Sequence, residues 1–295
     1  AAISLLKFED ILQKALKLLH NDTNWDDQLN IISNINKLPL LIKLMGVCPI
    51  PDRELEKLFI HIRAGILTHI SSVNQMPLEL IKFQSALALQ CYTNEYIYSH
   101  TKEEEKILNS LDANVKKAFK KNEQPSPQAI LTLASYKALS EYDWCNLLVI
   151  TNDIKDVFIR QVEEPNQEEK LKKTVPILEE ITNKVSSKVR EQYEQSPYPR
   201  WINVGLRLEP KPISKVVDEI ELKLHNHKIN EVEKPEILIA GCGTGQHSIG
   251  TATRFKSSNV LSIDLSLSSL AYAKRKTEDL AIDNIEYMQA DILDL

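Results

Sequence analysis

Glycine is scarce in this chain, and its placement constrains the fold more than any other feature. There are seven glycines in 295 residues, and four of them (Gly241, Gly243, Gly245 and Gly250) fall within ten positions. Backbone freedom is needed there and almost nowhere else. The cluster follows Glu236-Ile237-Leu238-Ile239-Ala240, an apolar run that fits a buried parallel strand. It precedes Gln246 to Phe255, which reads as a helix. Strand, glycine turn and helix in that order bring backbone against a nucleotide, and a side chain at Gly243 would block the approach.

Two acids follow in step with this unit. Asn259 to Asp264 reads as a second strand, ending in a carboxylate 23 residues after Gly241. Ser266 then caps a helix through Leu267, Leu270, Ala271, Ala273 and Leu280, and Ile285 to Ala290 is a third strand followed by Asp291. A carboxylate at the tip of the second strand can accept both hydroxyls of a ribose. One after the third can accept from an adenine amino group. The dinucleotide fingerprint G-x-G-x-x-G needs glycine at position 246, which here is Gln246; the spacing is G-x-G-x-G. A nicotinamide-dependent dehydrogenase is therefore the disfavoured alternative.

Gly241-Cys242-Gly243-Thr244-Gly245, with Asp264 and Asp291 in register, resembles the class I S-adenosylmethionine-dependent methyltransferases over residues 234–295. The resemblance implies S-adenosyl-L-methionine as cofactor, with the backbone at Gly241, Gly243 and Gly245 against its methionine part and Cys242, Thr244 and Gln246 also among the cofactor-binding residues. It also implies Asp264 on the ribose hydroxyls, Leu265 packed on adenine, and Asp291 with the Ile292 N–H at the adenine edge. The family usually has an acid two residues before the first glycine, where this chain has Ile239. A helical interaction protein with a degenerate methyltransferase domain is the alternative that this departure supports. Upstream, Tyr193-Glu194-Gln195-Ser196-Pro197-Tyr198-Pro199-Arg200-Trp201 is similar to bacterial methyltransferases that carry helical, often tetratricopeptide-type, N-terminal extensions. On this proline-stiffened segment Tyr193, Tyr198, Arg200 and Trp201 are candidate lid or substrate residues. Such a domain usually has seven strands, and three fit here, so the resemblance implies a fragment of a longer protein, inactive alone. Methyl transfer is an in-line displacement driven largely by proximity, and no catalytic residue is named.

The rest of the chain reads as helix. Apolar spacing predicts helices over Ile3–Leu19, over Asp26–Leu44 with a break near Pro39, and to about Ile70 after an Asp52 cap. More follow from Pro77 to about Tyr98, over Lys102–Lys121, Pro127–Ser140 and Tyr142–Phe158. Residues 161–173 are polar, contain Pro165, and read as a boundary. Helices resume over Val175–Glu194 and Ile213–His227. The expected architecture is a mainly α domain (1–160), a linker, helix and lid (161–233), then a truncated Rossmann-like α/β domain with three parallel strands (234–295).

Composition narrows the partners. Apolar residues make up 43% and charged residues 26%, an ordinary globular balance, and the net charge is −5. No global field draws the chain to nucleic acid or anionic lipid, so the expected methyl acceptor is a small molecule or a protein recruited by the helical domain. Lys116, Lys117, Lys120 and Lys121 read as a solvated helix end. Cys48, Cys91, Cys145 and Cys242 form no CxxC pair and read as reduced thiols, which fits a cytoplasmic protein. His225-Asn226-His227 has no further ligand at metal spacing, so no metal is expected. No apolar run reaches the ~18 residues of a membrane span.

Overall fold

The computed structural model describes residues 2–18, 24–70, 78–195, 197–206, 209–225 and 228–294. Leu19, Pro77, Ser196, Asn226 and His227, named above, lie outside the described residues. The chain divides into two compact units, Ala1–Pro165 and Asn166–Leu295.

The first unit is helical: α1 Ala2–Leu6, α2 Asp10–Leu18, α3 Trp25–Ile35, α4 Pro39–Val47, α5 Arg53–His69, α6 Leu78–Thr93, α7 Lys102–Lys120, α8 Pro127–Ala134 and α9 Lys155–Phe158. Ends marked by local chemistry fall where the sequence puts them. The Asp52 carboxylate accepts the Glu54 and Leu55 N–H groups at the start of α5, and Thr101 with Glu104 forms a reciprocal capping box on α7. Four expectations differ. One is simply a shorter helix: that expected over Pro127–Ser140 ends at Ala134. The first helix is two, turned around Lys7, whose ammonium reaches Asp52 at 2.7 Å and Glu54 at 2.8 Å. The helix expected over Tyr142–Phe158 is reduced to a short 3-10 turn at Cys145–Leu147 and then α9. There the Gln124 side chain donates to the Leu147 carbonyl and accepts from the Val149 N–H, while Trp144 Nε1 donates to Asp112. Side chains from elsewhere thus take backbone groups that a helix would pair internally. The polar stretch over 161–173 is not a loop: a wide π turn at Ile159–Glu163 runs into α10, Glu164–Lys172. Pro165, which has no N–H to donate, stands where the run passes from the π turn into α10.

Two apolar clusters fill this unit, one around Leu58, Phe59 and Phe83, the other around Ile130, Leu131 and Leu139. Arg63 is buried with them, 1% exposed. Its guanidinium donates to the carbonyls of Ser135 (3.3 Å), Tyr98 (3.2 Å) and Ser99 (2.7 Å) and lies 4.1 Å from the Tyr136 ring centre. The Tyr136 hydroxyl donates in turn to Glu104 at 2.6 Å. A cleft of about 520 Å³ opens beside these groups, lined by His100, Asp112, Lys116, Tyr136, Glu141 and Tyr142 among others. Arg63→Met leaves three carbonyls, those of Tyr98 and Ser135 buried, without their donor. We expect it to lower stability by roughly 3 kcal/mol or more, read as an earlier midpoint in urea unfolding followed by circular dichroism.

The second unit holds α11 Lys184–Gln195, α12 Ile213–Glu219, β1 Glu236–Ala240, α13 Gln246–Ala252, β2 Asn259–Asp264, α14 Leu267–Asp279 and β3 Ile285–Gln289. The sheet is parallel, in the order β1-β2-β3, with Ile237 beside Val260 and Ile285, and Ile239 beside Ser262 and Tyr287. Partners in register share a face. This face packs on α13 and α14, with Ser262 Oγ donating to Ser248 Oγ at 2.8 Å. On the other face Leu238 is 52% and Leu261 36% exposed. The helix expected from Val175 begins only at Lys184, because the preceding residues run along β3: the Gln289 N–H donates to the Pro176 carbonyl (2.8 Å) and the Leu178 N–H to that of Gln289 (2.9 Å). The helix expected over Ile213–His227 stops at Glu219. Buried Arg275 ties α14 to α10, with Nε on Glu168 at 2.9 Å and Nη1 on Asp279 at 2.8 Å. Among the described residues no helix is long and apolar enough to cross a membrane.

Candidate functional site

The glycine loop lies at the carboxyl end of β1, the end of a parallel sheet where ligands bind. Its shape is set from inside. Gly245 has φ of 80°, and a Cβ added there would stand 2.5 Å from Ala273 Cβ and 3.0 Å from Tyr287 Oη. The loop therefore packs directly on α14 and β3, which no residue but glycine allows. At Gly241 and Gly243, with φ of 73° and 53°, an added Cβ meets nothing within 4 Å. Their outer faces are open.

Four of the five loop amides are used within the protein. The Gly241 and Cys242 N–H groups donate to the Ile263 carbonyl, each at 2.9 Å; that of Gly243 donates to Asp264 Oδ2 at 2.8 Å, and that of Gly245 to the Cys242 carbonyl at 3.0 Å. A phosphate needs a set of free N–H donors, and this loop has turned them inward. At Gly241 and Gly243 it offers a ligand open glycine surface instead.

Asp264 is half-buried at the tip of β2. Oδ1 accepts the Ser266 N–H at 3.0 Å and Oδ2 that of Gly243, so each oxygen keeps a lone pair for a further donor. The Ala290 N–H donates to the Asp264 carbonyl at 3.1 Å, which sets the tips of β2 and β3 side by side. Asp291 follows β3 and is 4% exposed. Its Oδ1 accepts the Leu293 N–H at 3.0 Å, and its Oδ2 has no partner among the described residues. A buried acceptor in that condition calls for a donor. Leu265 is half-buried, its carbonyl held by Gln289 Nε2 at 2.7 Å, whereas Gln246 and Ile292 are exposed. Ile239 lies 6% exposed in the apolar cluster with Cys242 and Val260. Burial, with the Asp264 charge nearby, pushes the Cys242 thiol well above its ordinary range, so it stays neutral and serves as packing.

The proline-stiffened segment is fastened to the loop. Trp201 Nε1 donates to the Thr244 carbonyl at 2.9 Å, and Thr244 Oγ1 donates back to the Pro199 carbonyl at 2.8 Å. The Tyr272 hydroxyl donates to the Trp201 carbonyl, and the Lys276 ammonium lies 4.9 Å over the indole. Trp201 is thus a buried brace, 8% exposed. Arg200 is half-buried, and Tyr193 and Tyr198 stand 41% and 67% exposed.

A family model for the methyltransferase domain matches residues 237–295. That segment is part of a class I methyltransferase domain. A tRNA (guanine-N(7)-)-methyltransferase of Clostridium novyi (strain NT) is 31% identical over 86 residues, 29% of this chain and 40% of that enzyme. The chain thus spans less than half the length of that relative. No solved structure matches.

Glu194, Tyr272 and Gln289, which brace the start of α14, Trp201 and the tip of β2, are not marked in the sequence. Each is a polar residue whose partner lies more than twenty residues away, and no local pattern marks it. Gly245→Ala combines a backbone conformation unfavourable to L residues with a clash against α14. It should cost roughly 2–4 kcal/mol in this unit, seen as faster amide hydrogen exchange in β1–β3. Cys242 should resist a thiol reagent at pH 8 in the native protein and react on unfolding, followed by mass spectrometry.

Proposed function

We propose that the protein is an S-adenosylmethionine-dependent methyltransferase in which residues 234–295 hold the cofactor and the helical unit recruits the methyl acceptor. One observation carries the reading: an inward-turned glycine loop beside a half-free and a buried, half-unpaired carboxylate. These groups fit that cofactor group by group. Open glycine surface at Gly241 and Gly243 suits its methionine part, which carries no phosphate. The free lone pairs of Asp264 suit two ribose hydroxyls, and the unpartnered Asp291 Oδ2 suits the adenine amino group. Leu265, its backbone held by Gln289, supplies apolar surface for the ring, with the Ile292 N–H beside it.

When bound, the cofactor supplies a methyl group on a sulfonium for in-line displacement by the acceptor. The chain's own part is orientation: the carboxylates hold the nucleoside, the loop holds the other end, and neither needs to move a proton. Tyr193, Tyr198 and Arg200 are our candidates for the acceptor side, since they stand on the segment that Trp201 fastens to the loop. The cleft around Tyr136 and Tyr142 supports a recruiting role for the helical unit. The relative from Clostridium novyi is named for action on tRNA, yet the net charge of −5 favours a small-molecule or protein acceptor here.

Calorimetric titration of the full chain with S-adenosylmethionine tests the reading, and an absence of binding overturns it in favour of a degenerate domain. Asp264→Ala should weaken binding about tenfold or more, the loss of hydrogen bonds to a charged acceptor. With methyl-labelled cofactor and a cell extract, label should appear in protease-sensitive or dialysable material; label in RNA would reverse the acceptor assignment.

A further inference from the structure

We infer that Glu194 is a positioning residue for the ribose-binding carboxylate, acting through the first turn of α14. This rests on the cofactor reading above.

A helix begins with amides that have no partner inside it, and on α14 each of these has a specific one. The Ser266 N–H is taken by Asp264 Oδ1, that of Ser269 by Ser266 Oγ at 3.1 Å, and those of Leu267 and Ser268 by the two carboxylate oxygens of Glu194. The Ser268 hydroxyl also lies 2.7 Å from Glu194 Oε2 and 2.8 Å from the Glu194 carbonyl. Glu194 comes from α11, more than seventy residues upstream, and the Lys172 ammonium lies 3.8 Å from it.

The bonds form one connected path. Glu194 grips Leu267 and Ser268, the adjacent Ser266 amide grips Asp264, and Asp264 grips the Gly243 amide. Asp264 therefore faces its ligand in an orientation that depends on where α14 begins, and Glu194 determines that. A negative group at the positive end of the helix is also favoured by the helix dipole. Without it, two amides turn to water and the first turn loosens. The Ser266 amide then no longer holds Asp264 Oδ1 in place. Glu194 touches no reacting atom; its effect is on ribose binding.

A double-mutant cycle on affinity for S-adenosylhomocysteine, measured calorimetrically on the full chain, tests this. Glu194→Ala should weaken binding about tenfold, Glu194→Gln less, since its amide oxygen still accepts one N–H. Glu194→Ala should add little further loss on an Asp264→Ala background, because its effect passes through that carboxylate. Ser268→Ala, which keeps both amide contacts, should bind nearly as the wild type. Equal affinity in Glu194→Ala and wild type, or fully additive losses, would overturn the inference while leaving the cofactor reading intact. Wild-type protein that binds no S-adenosylhomocysteine would overturn both. Should Glu194→Ala fail to fold, the same cycle with Glu194→Gln decides.

Discussion

The bond from the Gly243 amide to the Asp264 carboxylate is the contact on which the site depends. It joins the loop after β1 to the tip of β2 at 2.8 Å, and the other oxygen of the same carboxylate holds the first amide of α14. One side chain thus fixes the curl of the loop and the start of the next helix while keeping lone pairs for a ligand. The rest of the second unit supports that arrangement. Gly245 lets α14 and β3 touch the loop, Trp201 braces it through Thr244, and Glu194 completes the amides of α14.

This arrangement also separates two classes of nucleotide ligand. A loop that binds pyrophosphate keeps its amides free. Here the Gly241, Cys242, Gly243 and Gly245 amides are consumed inside the protein. The missing glycine at Gln246 and the inward amides argue in the same direction from independent grounds, one of spacing and one of hydrogen bonding. Ile239 is explained by its surroundings: it packs with Cys242 and Val260, where an unpaired carboxylate would be costly.

In the helical unit a buried cation plays the organising role. Arg63 gathers three carbonyls that come from the end of α8 and from the segment before α7, and stacks on Tyr136. Arginine suits this position because its planar fork reaches several acceptors at once, which a lysine ammonium does less well. The same Tyr136 lines the cleft, so the core and the cleft wall are built from shared residues.

The sequence by itself determined whatever rests on contacts within a few residues. The start of α5 was legible because the Asp52 carboxylate bonds amides two and three residues on. The three strands, the glycine loop and the two acids were legible because spacing along strand, turn and helix is a local property. Tertiary structure alone decided the remainder. The loss of helix after Tyr142 and the extended run before Lys184 each follow from a partner distant in sequence: Gln124 and Gln289 respectively. In the site, only the fold turned the loop amides inward, buried Trp201 as a brace and carried Glu194 to the start of α14. A hydrogen bond across seventy residues leaves no periodicity behind, so such contacts become visible only when the chain has closed on itself.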